Sequence, residues 1–295
     1  IMNKIKNKGI ILAGGKGTRL FPSTIALSKQ MIPIYDKPMI YYSLSTLMLA
    51  GIKDILIISS PEHLSFYKSL FGSGDKIGID ISYEVQENPE GIAQAFLIGE
   101  DFVSNDNVAL ILGDNLFYGE AFSEKLQKAT SFEKGGTIFS CAVNNPEDFG
   151  VVEVDGNNSI VSIEEKPISP KSNQAVTGLY FYDNEVINIA KNLKASDRGE
   201  LEITDINIEY LKSDSLRLIN LGRGFTWLDT GTPDALLEAS NFIQTIEKRQ
   251  GLKVACIEEI AYKKDWISKE QLKNISQALP KNSYGSYLLD VLNKN

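Results

Sequence analysis

Glycines, a lysine, a threonine and an arginine crowd the segment GIILAGGKGTRLFP, residues 9–22, directly behind an apolar run. Backbone N–H groups in a Gly14-Gly15-Lys16-Gly17 turn can cradle phosphate oxygens, and the Arg19 guanidinium can pair with them through two parallel bonds. Two familiar phosphate devices are excluded by residue order. A P-loop, G-x-x-x-x-G-K-[ST], needs a hydroxyl residue after its lysine, whereas Lys16 is followed by Gly17. A dinucleotide fingerprint, G-x-G-x-x-G, begun at Gly15 would need glycine where Leu20 stands. What remains is a strand, a glycine turn and Thr18-Arg19 at a helix start, a pattern that also fits a tight turn with surface charges.

Two carboxylates extend the chemistry. Asp114 closes the apolar run of LILGDN, and Asp229 follows another apolar stretch in TWLDTG. Carboxylates converging from separate strand ends can hold one hard cation together with phosphate oxygens and water. Each aspartate taken alone equally suits a turn or a cap.

Composition removes several function classes. A net charge of −8 argues against general binding to nucleic acid or anionic membranes, so an anionic ligand must meet a local basic cluster. His63 is the single histidine, which makes a Ser/His/Asp hydrolase or a multi-histidine metal site an unpromising reading. Cys141 and Cys256 stand far apart and suit neither a disulfide framework nor a zinc site, so a reducing cytoplasm is the expected home. No apolar run approaches the roughly 18 to 20 residues that span a bilayer, and the polar stretch MNKIKNKG does not read as a secretory leader.

The elements that must position these groups follow from hydrophobic patterning. Short apolar β-branched runs predict strands over Gly9–Ala13, Ile55–Ser59, Ile79–Val85 and Val108–Gly113, with helices near Met39–Ala50, Pro61–Phe71 and Ile92–Phe102 between them. That alternation is the mark of an α/β fold, a Rossmann-like mixed but mostly parallel sheet with helices on both faces. After Thr137 the pattern changes to GTIFSCAV and then to a hairpin, GVVEVDGNNSIVSIEEKP, turning at Asp-Gly-Asn-Asn. Further strands are expected at Val176–Tyr182 and in SLRLINL, and helices from Pro233 onward. We therefore expect an α/β core over residues 1–232, whose pattern changes between 1–136 and 137–232, and a helical region over 233–295.

A longer string sharpens the reading. L-A-G-G-x-G-T-R-L followed by SKQMIP resembles the signature of the sugar-nucleotide pyrophosphorylases, a family of nucleotidyltransferases. The likeness continues through YDKPMIYYSLSTLMLAGI, LGDNLFYG, IEEKP, VTGLYFYD, RGELEITD and WLDTGT, and is strongest toward the thymidylyl-transferring members. It implies attack by the phosphate of glucose 1-phosphate on the α-phosphorus of dTTP, with Mg2+, giving dTDP-glucose and pyrophosphate. Such a reaction needs no protein nucleophile, so positioning and charge neutralisation carry it.

The same resemblance implies that 1–136 serve the nucleotide and 137–232 the sugar phosphate, and it implies roles residue by residue. Leu12, Gly14, Gly15, Gly17, Thr18, Gln86 and Gly91 match nucleotide-binding positions, with the Gln86 amide suited to the O4 and N3–H edge of a pyrimidine. Arg19 and Lys29 match residues that grip the triphosphate, Lys29 alone being readable as a solvated lysine. Asp114 and Asp229 match magnesium ligands. Glu165, Lys166 and Arg198 match sugar-phosphate contacts, and Asn115, Gly150, Val176 and Tyr180 the remaining sugar-facing positions. Without the resemblance, Arg198 and Glu200 would read as a helix-entry pair. Trp227 is expected to wall the pocket, and Phe149 stands where a tyrosine is common. A homotetramer, and feedback by a dTDP-sugar such as dTDP-rhamnose through the helical tail, are implied in the same way. The competing expectations are a uridylyltransferase, transfer to another hexose 1-phosphate, and a nucleotide-sugar-binding regulatory subunit without turnover. An NAD-dependent oxidoreductase is disfavoured by the failed fingerprint.

Overall fold

The runs GIIL, ILIIS and VALIL offer no polar face, and strands of that kind persist only between two covering layers. In the computed structural model, which describes residues 5–157 and 159–293, they become the parallel strands Asn7–Leu12, Asp54–Ser59 and Asn107–Leu112. Gly9 lies opposite both Ile55 and Ala109. Asp80–Val85 adds a fourth parallel strand at the edge, with Asp80 and Ser82 exposed and Ile81 buried. All four end on the same side, which delivers Gly14, Gln86 and Asp114 to one crest.

The rest of the nine-stranded sheet is built around the long strand Gln174–Tyr182. It runs antiparallel to Asn107–Leu112 at one end, and to Gly136–Ala142 along its length. The expected hairpin pairs Gly150–Val154 with Ile160–Glu165. Its turn is held by the Asp155 carboxylate, which accepts from the N–H groups of Asn157 (2.8 Å) and Ser159 (2.9 Å). Asn158 of the expected turn lies outside the described residues. Leu216–Asn220 joins parallel to Gly136–Ala142, as SLRLINL suggested.

Several sequence expectations are corrected. The helix expected over Ile92–Phe102 is two pieces, Gln94–Ile98 and Glu100–Val103. Gly99 lies between them, so close to the sheet that a Cβ there would fall 2.9 Å from Ile10 Cδ1. The helix expected from Pro61 begins at Leu64, because the Ser60 carbonyl takes the N–H groups of His63 and Leu64 in a preceding turn. Thr18-Arg19 opens only a single 3-10 turn, Thr18–Leu20. Unanticipated helices occupy Phe122–Thr130, Glu185–Asn192 and Ile203–Lys212, and a separate two-stranded ladder joins Asn115–Tyr118 to Thr226–Asp229.

The C-terminal helices pack onto the core. Thr232 caps Pro233–Gln250 by accepting from the Ala235 N–H, and Gly251 ends that helix in the left-handed conformation. Cys256, Ile257, Ala261, Leu272 and Leu288 share one buried cluster with Leu44, Leu47 and Met48 of the helix Ile40–Leu49. Among the described residues no helix is long and apolar enough to cross a membrane.

Candidate active site

The ladder of Asn115–Tyr118 and Thr226–Asp229 sets Asp229 directly opposite Asn115, the neighbour of Asp114. Thr230 fastens the junction, its N–H and its hydroxyl both donating to the Asp114 carbonyl (3.2 and 2.8 Å). The two aspartates picked out in the sequence are thereby brought to one place. Asp229 Oδ1 is buried with no hydrogen-bond partner among the described residues. Burial, and then the adjacent Asp114 charge, push the Asp229 carboxyl up to about 6, against the opposing pull of Lys29, Arg19 and Lys166.

Lys29 forms an ion pair with Asp114 and is buried, so the solvated alternative is wrong. Its place is fixed by the turn Lys29–Met31 and by the buried neighbours of that turn. Ser28 Oγ donates to Gln30 Oε1 (2.8 Å), as does the Tyr67 hydroxyl (3.2 Å). Arg19 leaves the glycine turn after Gly17, whose φ of 56° no ordinary side chain favours. Its guanidinium lies against the Asp-Thr-Gly-Thr turn, where a Cβ on Gly231 would come within 2.9 Å of Nη2.

A cavity of about 590 Å³ opens beside this cluster. Arg19, Lys166 and Arg198 bring cations to it, and Glu165, Glu202 and Asp229 carboxylates; Asn115, Gly150, Val176, Tyr180 and Trp227 complete the expected sugar side. Trp227 is a half-exposed wall rather than core, its Nε1–H donating to Asn115 Oδ1 (2.7 Å) and its ring meeting Phe149 edge-on at 5.0 Å. Asn115 Oδ1 also accepts from the Gly178 N–H (3.0 Å), where the long strand breaks register between Val176 and Tyr180. Lys166 adopts a left-handed φ of 43°, with its N–H donating to the Phe149 carbonyl (3.0 Å).

Arg198 does pair with Glu200, Nη2 to Oε2 at 3.6 Å, as the helix-entry alternative expected. Its main partner is the buried Glu202, which accepts from Nη2 through both oxygens at 2.9 Å and from Nε at 3.2 Å. Sequence reasoning missed Glu202, and also Thr204, whose hydroxyl donates to Glu165 Oε2 (2.5 Å). Both lie in the ELEITD string, where buried and solvated carboxylates look alike.

The positions expected on the nucleotide side, Leu12, Gly14, Gly15, Gly17, Thr18, Gln86 and Gly91, lie outside the cavity lining, as do Lys29 and Asp114. Gln86 and Gly14 meet closely, for a Cβ on Gly14 would fall 2.0 Å from Gln86 Oε1. Gly91 has a φ of 106° and abuts the Leu201 backbone, where a Cβ would lie 2.4 Å from the carbonyl oxygen. Gly15 and Thr18 are exposed beside Arg19.

With this geometry, residues 8–246 match the model of the nucleotidyl transferase family. This chain belongs to the nucleotidyl transferase family. It is 57% identical to a glucose-1-phosphate thymidylyltransferase of Neisseria meningitidis serogroup A, over 97% of this chain and 100% of that protein. A glucose-1-phosphate thymidylyltransferase of Mycobacterium tuberculosis is 52% identical over 98% and 100% of the two chains. Among solved structures, a Bacillus anthracis protein assigned as glucose-1-phosphate thymidylyltransferase and bound to sucrose superposes with a TM-score of 0.75 at 43% identity, covering 80% of this chain and 95% of that one. UDP-glucose pyrophosphorylase complexed with UDP-glucose gives a TM-score of 0.71 at 25% identity, over 82% and 100%. The nucleotidyl transferase is thus an enzyme whose family match takes in every site residue named above.

Proposed function

We propose that this nucleotidyl transferase transfers the thymidylyl group of dTTP to glucose 1-phosphate, giving dTDP-glucose and pyrophosphate. The observation that carries the reading is the meeting of Asp114, Asp229, Lys29 and Arg19 beside a cavity whose lining also holds Lys166 and Arg198. Several cations gather at a carboxylate pair, as two phosphate groups approaching each other require. Similarity to thymidylyltransferases along nearly the full chain supports the choice of base and sugar.

In this reading Arg19 and Lys29 neutralise the departing pyrophosphate, while Lys166 and Arg198 hold the sugar phosphate in line with the α-phosphorus. Glu165 accepts from sugar hydroxyls, and Trp227 with Phe149 closes one wall. Leu12, Gly14, Gly15, Gly17 and Thr18 contact the nucleotide, and Gln86 and Gly91 its base. The unpartnered Asp229 Oδ1 beside Asp114 fits a hard divalent cation, for which Asp114 and Asp229 would be the protein ligands. Mg2+ bound there would supply charge neutralisation on the phosphates. Among the described residues no larger cluster of metal-ligating side chains is present, so its other ligands would be water and phosphate oxygens.

The exposed Leu237, Leu252 and Leu289 support a further reading in which region 233–295 is an assembly surface, forming a homotetramer with a dTDP-sugar as feedback inhibitor. Pyrophosphate release with dTTP, Mg2+ and a panel of sugar 1-phosphates, repeated with UTP, tests the main reading. Fast release with dTTP and glucose 1-phosphate is expected. Preference for UTP would make the protein a uridylyltransferase, and silence with every pair despite tight dTTP binding would make it a regulatory subunit.

A further inference from the structure

A half-turn of a carboxamide exchanges its donor and its acceptor, so a glutamine that reads a base is only as selective as whatever fixes its orientation. Gln86 is buried, and its Nε2 donates to Gln94 Oε1 at 2.6 Å. Gln94 is fixed in turn by groups whose polarity is not negotiable. Its Oε1 accepts from the Glu90 backbone N–H (3.1 Å), which can only donate. Its Nε2 donates to Glu90 Oε2 (3.0 Å), which as a carboxylate can only accept.

Reversing Gln94 would set its NH2 against the Glu90 N–H and its oxygen against the carboxylate. Reversing Gln86 alone would set two amide oxygens together. Polarity therefore runs from Glu90 through Gln94 to Gln86, and leaves Gln86 Oε1 facing away from Gln94. That oxygen has no protein donor among the described residues and stands over Gly14, where only hydrogen fits.

We propose that Gln94 is a specificity-determining residue, which locks the Gln86 carboxamide so that the site takes pyrimidines carrying a hydrogen on N3 and rejects cytosine. The proposal rests on the reading of Gln86 as the base contact. Thymine and uracil offer N3–H to Oε1 and an O4 to the second Nε2 hydrogen. Cytosine presents the opposite pattern, a bare N3 and a 4-amino group, and would set a lone pair against Oε1. An unlocked amide could turn over and accept it, which makes Gln94, rather than Gln86 alone, the source of the discrimination.

The test compares dUTP with dCTP, which share the deoxyribose and triphosphate, lack the 5-methyl group and differ at the N3–C4 edge. The ratio of their kcat/KM values with glucose 1-phosphate is internal to each variant, so loss of folded enzyme does not move it. Gln94→Leu is expected to lower the dUTP:dCTP ratio by about tenfold, and the exposed-site variant Glu90→Gln, whose amide can present either polarity, by ~threefold. Gln86→Ala should collapse the ratio outright. A wild-type ratio in both Gln94→Leu and Glu90→Gln, with collapse in Gln86→Ala, overturns the lock and leaves the base contact standing. A wild-type ratio in Gln86→Ala overturns the base contact itself, and the lock with it.

Discussion

Replacing Lys29 by methionine removes the ammonium paired with Asp114 while keeping most of the aliphatic stem. The two side chains are 9% and 20% exposed. Truncating one member of a buried ion pair costs ~3–5 kcal/mol, because the other charge is left without compensation. Solvent access to Asp114 moves the expectation to the lower end, about 2–3 kcal/mol. Loss of Lys29 also leaves Asp114 and Asp229 to repel each other with one opposing charge fewer. At ~2–4 °C per kcal/mol, a chain of this size should melt roughly 4–12 °C lower in EDTA. A cation held by the two carboxylates restores the missing charge, so Mg2+ should raise the Tm of Lys29→Met more than that of the parent. At a hundredfold excess over Kd the gain is ~2.7 kcal/mol, enough to offset the loss. Turnover should not recover, because the charge facing the departing pyrophosphate is gone; a fall of ~100-fold or more in kcat is expected. Thermal melts with EDTA and with Mg2+, alongside pyrophosphate release, read all three quantities. A Tm in EDTA within a degree of the parent, or an unchanged kcat, would sink the assignment of Lys29 to this cluster.

Without metal, the raised Asp229 carboxyl should make stability fall as pH rises from about 4 to about 6, since the folded state then holds a proton that the unfolded chain, at the ordinary value of 3.8, has released. The contribution is at most ~3 kcal/mol; urea melts in EDTA across that window should show it, and Asp229→Asn should flatten it. Glu202→Gln weakens the fork that aims Arg198, so KM for glucose 1-phosphate should rise about tenfold while KM for dTTP stays put, and an equal rise in both would refute a role confined to the sugar phosphate. Gly231→Ala places a methyl group where the Arg19 guanidinium lies, a flexible neighbour that can move aside, so kcat should drop by about tenfold with a Tm shift under ~2 °C. Wild-type turnover in that variant would mean that Arg19 does not act from this position.

The three inner parallel strands were legible as apolar runs and the edge strand Asp80–Val85 by its alternation, and their ends carried Gly14, Gln86 and Asp114 to the predicted edge. The ladder that joins Asp114 to Asp229 was not. Its strands, Asn115–Tyr118 and Thr226–Asp229, have four residues each, too few for a period to register, and their pairing spans more than a hundred positions. Both aspartates were found from residue type and resemblance, while their meeting depends on a long-range register that local pattern does not encode. Glu202 was hidden for a different reason. In a string of charged residues the buried member differs from its neighbours only in what it touches, and Arg198, Ser196 and the start of the helix Ile203–Lys212 decide that.

Gly91 separates two explanations that resemblance merges. Its match to a base-recognition position suggests close approach to the nucleotide, yet its φ of 106° and the Leu201 carbonyl 2.4 Å from any Cβ already demand glycine for backbone reasons. Leu201 bonds this loop at two points, donating to the Glu90 carbonyl (2.7 Å) and accepting from the Ala93 N–H (3.2 Å). Three residues before it stands Arg198, and directly after it Glu202, the pair proposed to face the sugar phosphate. At its other end the same loop carries Glu90 and Gln94, which fix the amide of Gln86. The proposed base side and the proposed sugar-phosphate side are therefore one backbone-bonded unit, and the glycine that lets the two loops touch serves both.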